Sequence, residues 1–165
     1  MAEKPAQVIY WDACCLIGFL KAEPGKVDAC QRVLEAAAAG EALLVTSALT
    51  IVEVVHVGQQ PPLPPEDEAK IVKFLERAEF VVVPFERAQA EEARRLMWQE
   101  GLKRQDAIHL STAVWRKIEV FHTYDPALLA LSGKVGNPKI EIRKPDWMKQ
   151  EKIEAKSVIE QKAPK

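Results

Sequence analysis

The sequence lacks the features that would place it in a membrane or outside the cell. No apolar run approaches the ~20 residues of a membrane-spanning helix, and the N-terminal residues lack the apolar core of a signal peptide. Cysteines are few: Cys14, Cys15 and Cys30 form neither a CxxC motif nor an even disulfide framework. We therefore expect unpaired thiols, no zinc site and a reducing, cytoplasmic location.

Motifs that identify several common enzymes are also missing. There is no GxGxxG or Walker sequence for nucleotides, and no GxSxG sequence for a serine hydrolase. Neither sign of charge is in excess, since the sequence has 23 lysines and arginines and 24 aspartates and glutamates. A net charge of −1 gives no general attraction for nucleic acid, although a local basic patch would still suffice.

Short apolar runs alternate with helical patterns along the chain. Strands are predicted at residues 8–11, 41–46, 80–83 and 119–124, with a last edge strand at 139–143. The segments between them carry helical spacing, which indicates βαβ units and right-handed crossovers around a parallel sheet. The 165 residues suit a single domain of the α/β class.

Two helical segments carry specific expectations. The helix predicted over residues 86–100 turns Ala90, Ala93, Leu96 and Met97 inward and stops at Gly101. Residues 50–57 are rich in β-branched side chains, which favours a strand. A strand just before them, followed by a possible serine cap, favours a helix, and we predict a helix there.

Four carboxylates stand where strands end or helices begin. Asp12 and Asp125 each end an apolar strand, Asp106 opens a helix, and Glu53 lies within the apolar 50–57 segment near its start. In parallel sheets, ligands bind outside the carboxyl ends of the strands. A helix N-cap is the alternative interpretation for Asp12 and for Asp106, and a solvent-facing helix position is the alternative for Glu53.

Several carboxylates at one edge repel each other unless a cation or protons compensate. Hard oxygen ligands without histidine or thiolate partners indicate Mg²⁺ or Mn²⁺. Such ions lower the pKa of a bound water and stabilise the charge of a phosphoryl transition state. The pattern therefore predicts phosphodiester hydrolysis, with His109 near the site or in the core rather than in the chemistry.

The order and context of these residues resemble a PIN-domain nuclease over residues 8–142. The resemblance is closest to the toxin ribonucleases of VapBC toxin–antitoxin pairs. It implies a three-layer α/β/α sandwich with a central parallel sheet of about five strands. It also implies cleavage of single-stranded RNA that depends on Mg²⁺ or Mn²⁺. The catalytic and metal-binding positions that it assigns are Asp12, Glu53, Asp106 and Asp125, with Thr123 in support.

The same resemblance implies partners and a domain boundary. We expect an RNA substrate, a cognate antitoxin protein and a homodimer, with no membrane association. Residues 1–145 would form the nuclease domain, and residues 146–165 a polar, basic tail. One departure from the family is Cys14, because that position is often serine or asparagine and a thiol is a poor partner for a hard ion.

RNA also requires cations around an acidic site. Lys103 and Arg104 lie three and two residues before Asp106 and are the best candidates, with Lys21 behind them. The alternative for this pair is a solvated turn without function.

Two other functions compete with the nuclease. One is a non-catalytic PIN-like module that binds RNA or protein through the same cleft. The other is a small α/β phosphatase or receiver domain. A receiver needs a lysine near the end of its last strand, whereas this strand ends in Asp125.

Overall fold

The computed structural model describes residues 6–54 and 65–147, and these residues form a five-stranded sheet. The strands run in the order β3-β2-β1-β4-β5, and all four pairings are parallel. Their ranges are β1 Gln7–Trp11, β2 Ala42–Ser47, β3 Phe80–Val83, β4 Val120–His122 and β5 Glu141–Arg143. The predicted parallel sheet of five strands, with the last strand at an edge, is confirmed.

The strand order makes β1 the point at which the chain changes direction across the sheet. From β1 the chain adds β2 and β3 on one side, and then crosses to add β4 and β5 on the other. Ligands of open parallel sheets bind at the carboxyl edge beside such a switch point. Asp12, the residue after β1, therefore lies where the topology opens a crevice.

Helices cover both faces of the sheet. Tyr10 packs on one face against Leu96 and Leu110, whereas Ile9 and Trp11 pack on the other with Cys30 and Val33. Alternate residues of a strand point to opposite faces, so a fully apolar strand is buried on both sides. The helices are α1 Ala13–Leu20, α2 Val27–Ala38, α3 Leu49–Glu53, α4 Pro65–Leu75, α5 Arg87–Glu100, α6 Arg104–Trp115 and α7 Pro126–Leu129.

Helix α5 shows where the predicted inward face was wrong. Its start and stop match the prediction, because Gly101 takes the left-handed conformation at φ 67°. However, Met97 is 39% exposed and Ala90 is exposed as well, while Gln89, Ala93 and Leu96 are buried. Ala93 and Leu96 are therefore confirmed as inward residues, whereas Ala90 and Met97 are not. Gln89 is buried in place of Ala90, and its side chain accepts a hydrogen bond from the Glu86 amide in a capping box.

Two helix positions near the expected site also differ from the prediction. Helix α6 begins at Arg104, so Asp106 does not open it but lies in its first turn. Glu53 is the last residue of the five-residue helix α3 rather than a residue near its start. The predicted continuation of that helix through His56 lies outside the described residues, as does the proline-rich segment that follows.

Two remaining expectations concern membranes and the tail. In the part of the chain that the structure describes, no helix has the length and apolarity needed to cross a bilayer. Asp146 and Trp147, at the start of the predicted tail, contact Arg32 and Glu41 respectively. Residues 148–165 lie outside the described ranges.

Candidate active site

Asp12 stands at the N-cap position of α1, yet its side chain makes no capping hydrogen bond. The carboxylate is buried, with 6% of the residue exposed. Its Oδ2 accepts hydrogen bonds from Thr123 Oγ1 at 2.8 Å and from Cys14 Sγ at 3.3 Å. The capping interpretation therefore does not account for this side chain, which is held by the end of the neighbouring strand instead.

Thr123 connects the carboxyl ends of the neighbouring strands β1 and β4. Its hydroxyl donates to Asp12 and accepts the Asp125 amide hydrogen at 3.0 Å. The Cys14 thiol accepts from the Tyr124 amide at 3.3 Å and lies 3.4 Å from Thr123 Oγ1. Cys14 therefore takes part in the hydrogen bonds of the site, since it donates to Asp12 and accepts from the backbone.

Asp125 combines a structural contact with a place at the same edge. Its Oδ1 accepts the amide hydrogens of Ala127 at 2.8 Å and Leu128 at 3.2 Å, so it caps α7, with Pro126 in the first turn. Capping uses one oxygen of a carboxylate and stabilises the negative charge at a helix N-terminus.

The pKa of Asp106 is raised by burial and by the charges of two other acids. Burial, followed by the negative charges of Asp125 and Asp12, raises the pKa of Asp106 to about 6, although His109 and Lys103 partly oppose this. Like charges shift a pKa in this way only when they are close together. The negative charges of Asp12 and Asp125 therefore act on Asp106 at the carboxyl edge of the sheet.

Glu53 reaches the same edge through His109. The Oε2 atom of Glu53 lies 2.6 Å from His109 Nε2, and Asp12 Oδ1 lies 3.6 Å from the same nitrogen. His109 is buried, with 1% exposed. Burial opposes a charge on this imidazole, but the hydrogen bond to Glu53 and the negative charges of Asp12, Glu53 and Asp106 outweigh it and raise the pKa.

Of the two predicted places for His109, near the site or in the core, the contacts with Glu53 and Asp12 favour the first, and the sequence held a signal for it. His109 follows Asp106 by three residues, and residues three apart on a helix share a face. A polar side chain one turn after a site acid on α6 must therefore face the same crevice. Its contact with Glu53, in contrast, joins residues 56 apart in the chain and has no local signature.

The donor chemistry of the edge suits a hard cation. Asp12, Asp106 and Asp125 offer carboxylate oxygens, and their repulsion shows an excess of negative charge that a divalent ion would relieve. Among residues 6–54 and 65–147, however, no group of three or more histidine, cysteine, aspartate or glutamate side chains is already arranged to hold a metal ion. Glu53 contacts His109, and Asp125 caps α7. The assignment of metal ligands stays a prediction.

Basic side chains lie beside the acids. Lys103 and Arg104 are exposed at the start of α6, and the Lys103 charge acts on Asp106. Lys21 is exposed just after α1. The placement is compatible with an RNA-binding rim, which stays a prediction.

The fold and the chain match known proteins. A family model described as the PIN domain matches residues 9–134, most of the chain. A search of curated proteins gave no match. The fold is similar to that of VapBC2 from Rickettsia felis bound to a promoter DNA fragment, with a TM-score of 0.61, 15% identity, and 85% of this chain and 100% of that chain covered.

Two further solved structures are similar to this chain. A toxin–antitoxin complex from Klebsiella pneumoniae has a TM-score of 0.58 and 20% identity, covering 85% of this chain and 99% of that chain. VapC20 from Mycobacterium tuberculosis, described as a sarcin–ricin loop cleaving toxin, has a TM-score of 0.59 and 12% identity, covering 72% and 90%. These identities show likeness of fold, and the family match shows more: the chain belongs to the PIN domain family.

Proposed function

We propose that this protein is a metal-dependent endoribonuclease that hydrolyses phosphodiester bonds of single-stranded RNA. The observation that carries the proposal is the buried Asp12 carboxylate, which caps no helix and lies at the carboxyl edge beside the switch point of the sheet, where its charge and that of Asp125 act on Asp106. Carboxylates that only cap helices would not need to share one edge at this cost. Membership of the PIN domain family supports the same chemistry.

Four acids would hold the cation, which we propose to be Mg²⁺ or Mn²⁺. Asp12, Asp106 and Asp125 would supply oxygens directly, and Glu53 would join them from the end of α3. When bound, such an ion activates water for attack and offsets the negative charge that builds up on the phosphoryl group.

The chain's own residues would orient these groups and the substrate. Thr123 holds Oδ2 of Asp12 and the Asp125 amide, so both acids keep a fixed relation to β4. Lys103 and Arg104 would bind phosphates flanking the scissile bond, because both side chains are exposed at the start of α6, close to Asp106 in the sequence. Hydrolysis adds one water across a P–O bond, and the proton that the attacking water loses balances the one gained by the leaving oxygen.

We further propose that the protein is the toxin of a type II toxin–antitoxin pair and acts as a homodimer in the cytoplasm. Solved structures with this fold include toxin–antitoxin complexes, one of them bound to promoter DNA. Co-expression with the product of a small neighbouring reading frame tests the partner. A stable complex that suppresses cleavage supports this part of the proposal, and unsuppressed cleavage contradicts it.

Cleavage of a mixed-sequence single-stranded RNA tests the proposal directly. We expect cleavage with Mg²⁺ or Mn²⁺, none with EDTA, and a loss of about a thousandfold in Asp106→Asn, which corresponds to ~4 kcal/mol of transition-state stabilisation. Asp28→Asn is the matched control, because Asp28 is an exposed aspartate in the first turn of α2. RNA binding without cleavage would indicate the non-catalytic module, and an active Asp106→Asn protein would remove Asp106 from the site.

A further inference from the structure

A line of buried polar groups leads from the backbone of β2 to Glu53. The Ser47 amide donates to Tyr10 Oη at 3.0 Å, and the same oxygen lies 2.7 Å from His109 Nδ1. On the other side of the imidazole, Nε2 lies 2.6 Å from Glu53 Oε2. Tyr10 and His109 are almost completely buried, with 0% and 1% exposed. The line crosses four elements and ends at a proposed site acid.

The contact with Glu53 requires a proton on Nε2 of His109, because an ionised carboxylate only accepts hydrogen bonds. The Tyr10 oxygen accepts from Ser47 and has one proton of its own to donate, which Nδ1 can accept. The remaining ring proton then sits on Nε2 and points at Glu53. The opposite tautomer would set a lone pair of Nε2 against a carboxylate oxygen 2.6 Å away. A doubly protonated ring would also donate from Nε2, so the donor that faces Glu53 is the same in both states.

Among residues 6–54 and 65–147, the side chain of Glu53 is held by its hydrogen-bonding contact with His109. Glu53 ends a helix of only five residues, and its side chain is 21% exposed. A charge-assisted hydrogen bond to a buried ring selects one rotamer of a long side chain. The His109 ring has little freedom, because its Nδ1 contacts the hydroxyl of Tyr10. Tyr10 is itself fixed by stacking on Phe121, with 4.9 Å between the ring centroids.

The same Nε2–H stands between two carboxylates. Asp12 Oδ1 lies 3.6 Å from His109 Nε2, on the nitrogen that contacts Glu53. A donor in this position lets the two acids approach each other with less repulsion. It also gives their oxygens a defined separation before any cation arrives.

We propose that Tyr10 and His109 are positioning residues of this site: Tyr10 sets the orientation of His109, whose Nε2–H holds Glu53 beside Asp12. Where it concerns metal binding and cleavage, this inference rests on the proposed function. The residues touch neither substrate nor reacting atoms, so they act through Glu53 and Asp12. Mutation of a residue that positions a metal ligand typically lowers metal affinity ten- to a hundredfold.

The competing explanation is a core histidine that merely satisfies its hydrogen bonds. Both explanations predict that Tyr10→Phe lowers the melting temperature, because the Ser47 amide and Nδ1 lose a buried partner. Only the positioning role predicts changes at Nε2 and in metal affinity. Tyr124→Phe is the matched control, since it also removes one phenolic oxygen, which contacts the Lys26 carbonyl at 3.4 Å.

Two measurements on the full-length protein separate the explanations. Nitrogen-15 spectra of the histidine rings should show His109, assigned by its absence in His109→Gln, protonated at Nε2 in the wild type and in Tyr124→Phe. In Tyr10→Phe the Nδ1 signal should shift because it loses its phenol partner, and the Nε2 proton should broaden as the ring gains freedom. In Glu53→Gln the Nε2 proton should move upfield as its hydrogen bond weakens. Calorimetry with Mn²⁺ and no RNA should give a Kd about tenfold higher for Tyr10→Phe and unchanged for Tyr124→Phe.

A second pair of variants covers the case in which Tyr10→Phe does not fold. His109→Gln keeps an N–H donor within reach of Glu53, whereas His109→Leu removes it, so Gln should retain more Mn²⁺ affinity than Leu. Folded variants with an unchanged Nε2 signal and equal Mn²⁺ affinity would overturn the inference. Should the wild type neither bind Mn²⁺ nor cleave RNA, the proposed function fails, while the ring spectra still decide whether Tyr10 and Glu53 hold the ring of His109.

Discussion

At the scale of single residues, the site acids contact hydroxyl, thiol, backbone amide and imidazole groups, and none pairs with a lysine or arginine within the part of the chain that the structure describes. Asp12 is buried and accepts from a hydroxyl and a thiol, and Glu53 contacts an imidazole. Neutral donors lower the cost of burying a carboxylate but leave its charge in place. The uncompensated charge is greatest where three carboxylates share one edge, which makes the metal-free protein sensitive to protonation there.

Asp106 gives a prediction with a definite sign. Its folded pKa of about 6 lies above the usual value near 4, so ionisation of this group costs stability. The free energy of unfolding of the metal-free wild type should carry a term that falls as pH rises from about 4 to 6. Asp106→Asn lacks that term and, in EDTA at pH 7.5, should melt a few degrees higher than the wild type. Thermal unfolding from pH 4 to 8 measures both effects.

Added Mg²⁺ or Mn²⁺ should reverse the order of the melting temperatures of the wild type and Asp106→Asn. Ligand binding to the folded state stabilises it by RT ln(1 + [L]/Kd), so the wild type should gain about 2.7 kcal/mol at a hundredfold excess over Kd, and Asp106→Asn much less. The exposed control Asp28→Asn should instead melt slightly lower, because its charge favours the N-terminus of α2. If Asp106→Asn also melted lower, Asp106 would have only that helix-dipole role.

At the scale of elements, the carboxyl end of β4 carries both structure and proposed function. Thr123 and Asp125 follow the strand, and Asp125 begins α7 by capping two amides. A strand whose end is tied to the next helix and to Asp12 presents its acid at a defined position. The two roles of Asp125 can be separated because asparagine caps a helix about as well as aspartate does.

Asp125→Asn should keep the stability and lose the activity. The amide oxygen can still accept from Ala127 and Leu128, so the free energy of unfolding should change by less than ~0.5 kcal/mol. RNA cleavage should fall at least about a hundredfold, or ~2.7 kcal/mol, because the negative charge is lost. Asp125→Ala removes cap and charge together and should cost about 1 kcal/mol in addition. Chemical denaturation and cleavage assays compare the two; full activity in Asp125→Asn would leave Asp125 as a cap only.

At the scale of the whole molecule, binding RNA is an electrostatic problem. The net charge is −1, and the proposed site concentrates negative charge at one edge. Association therefore depends on where the cations stand rather than on how many there are. Lys103 and Arg104 are exposed at the start of α6, next to Asp106.

Reversal of both charges should weaken RNA binding and flatten its salt dependence. In Lys103→Glu/Arg104→Glu, built on Asp106→Asn to prevent cleavage, affinity should fall at least tenfold, and the log–log salt slope by about 0.7 per lost phosphate contact. Lys134→Glu/Lys139→Glu is the matched control, because this exposed pair lines a groove beside Trp115, at the far end of α6. Titrations at several salt concentrations measure both values. Equal losses in the two pairs would indicate a general effect of charge.

Much of the architecture followed from local pattern in the sequence. Apolar runs of four to six residues between helical segments predicted five strands, and acids at the ends of two runs marked the carboxyl edge. Gly101 stopped α5 where predicted, because a left-handed residue is needed there and glycine adopts that conformation freely. These features depend on residues close together in the chain, so the sequence by itself determined the parallel sheet and the edge at which its acids collect.

Only the tertiary structure decided what those acids contact. Asp12 had two local interpretations, and the choice came from Thr123, 111 residues away, whose hydroxyl holds the carboxylate. His109 was predicted near the site or in the core, and the choice came from the contacts of its two nitrogens with Tyr10 and Glu53, 99 and 56 residues distant. In α5, Gln89 took the place of Ala90 on the inward face because its side chain could satisfy a cap and still be buried. Hydrogen bonds between distant residues have no period in the sequence, and whether a polar side chain is buried depends on which partners the fold brings within about 3 Å.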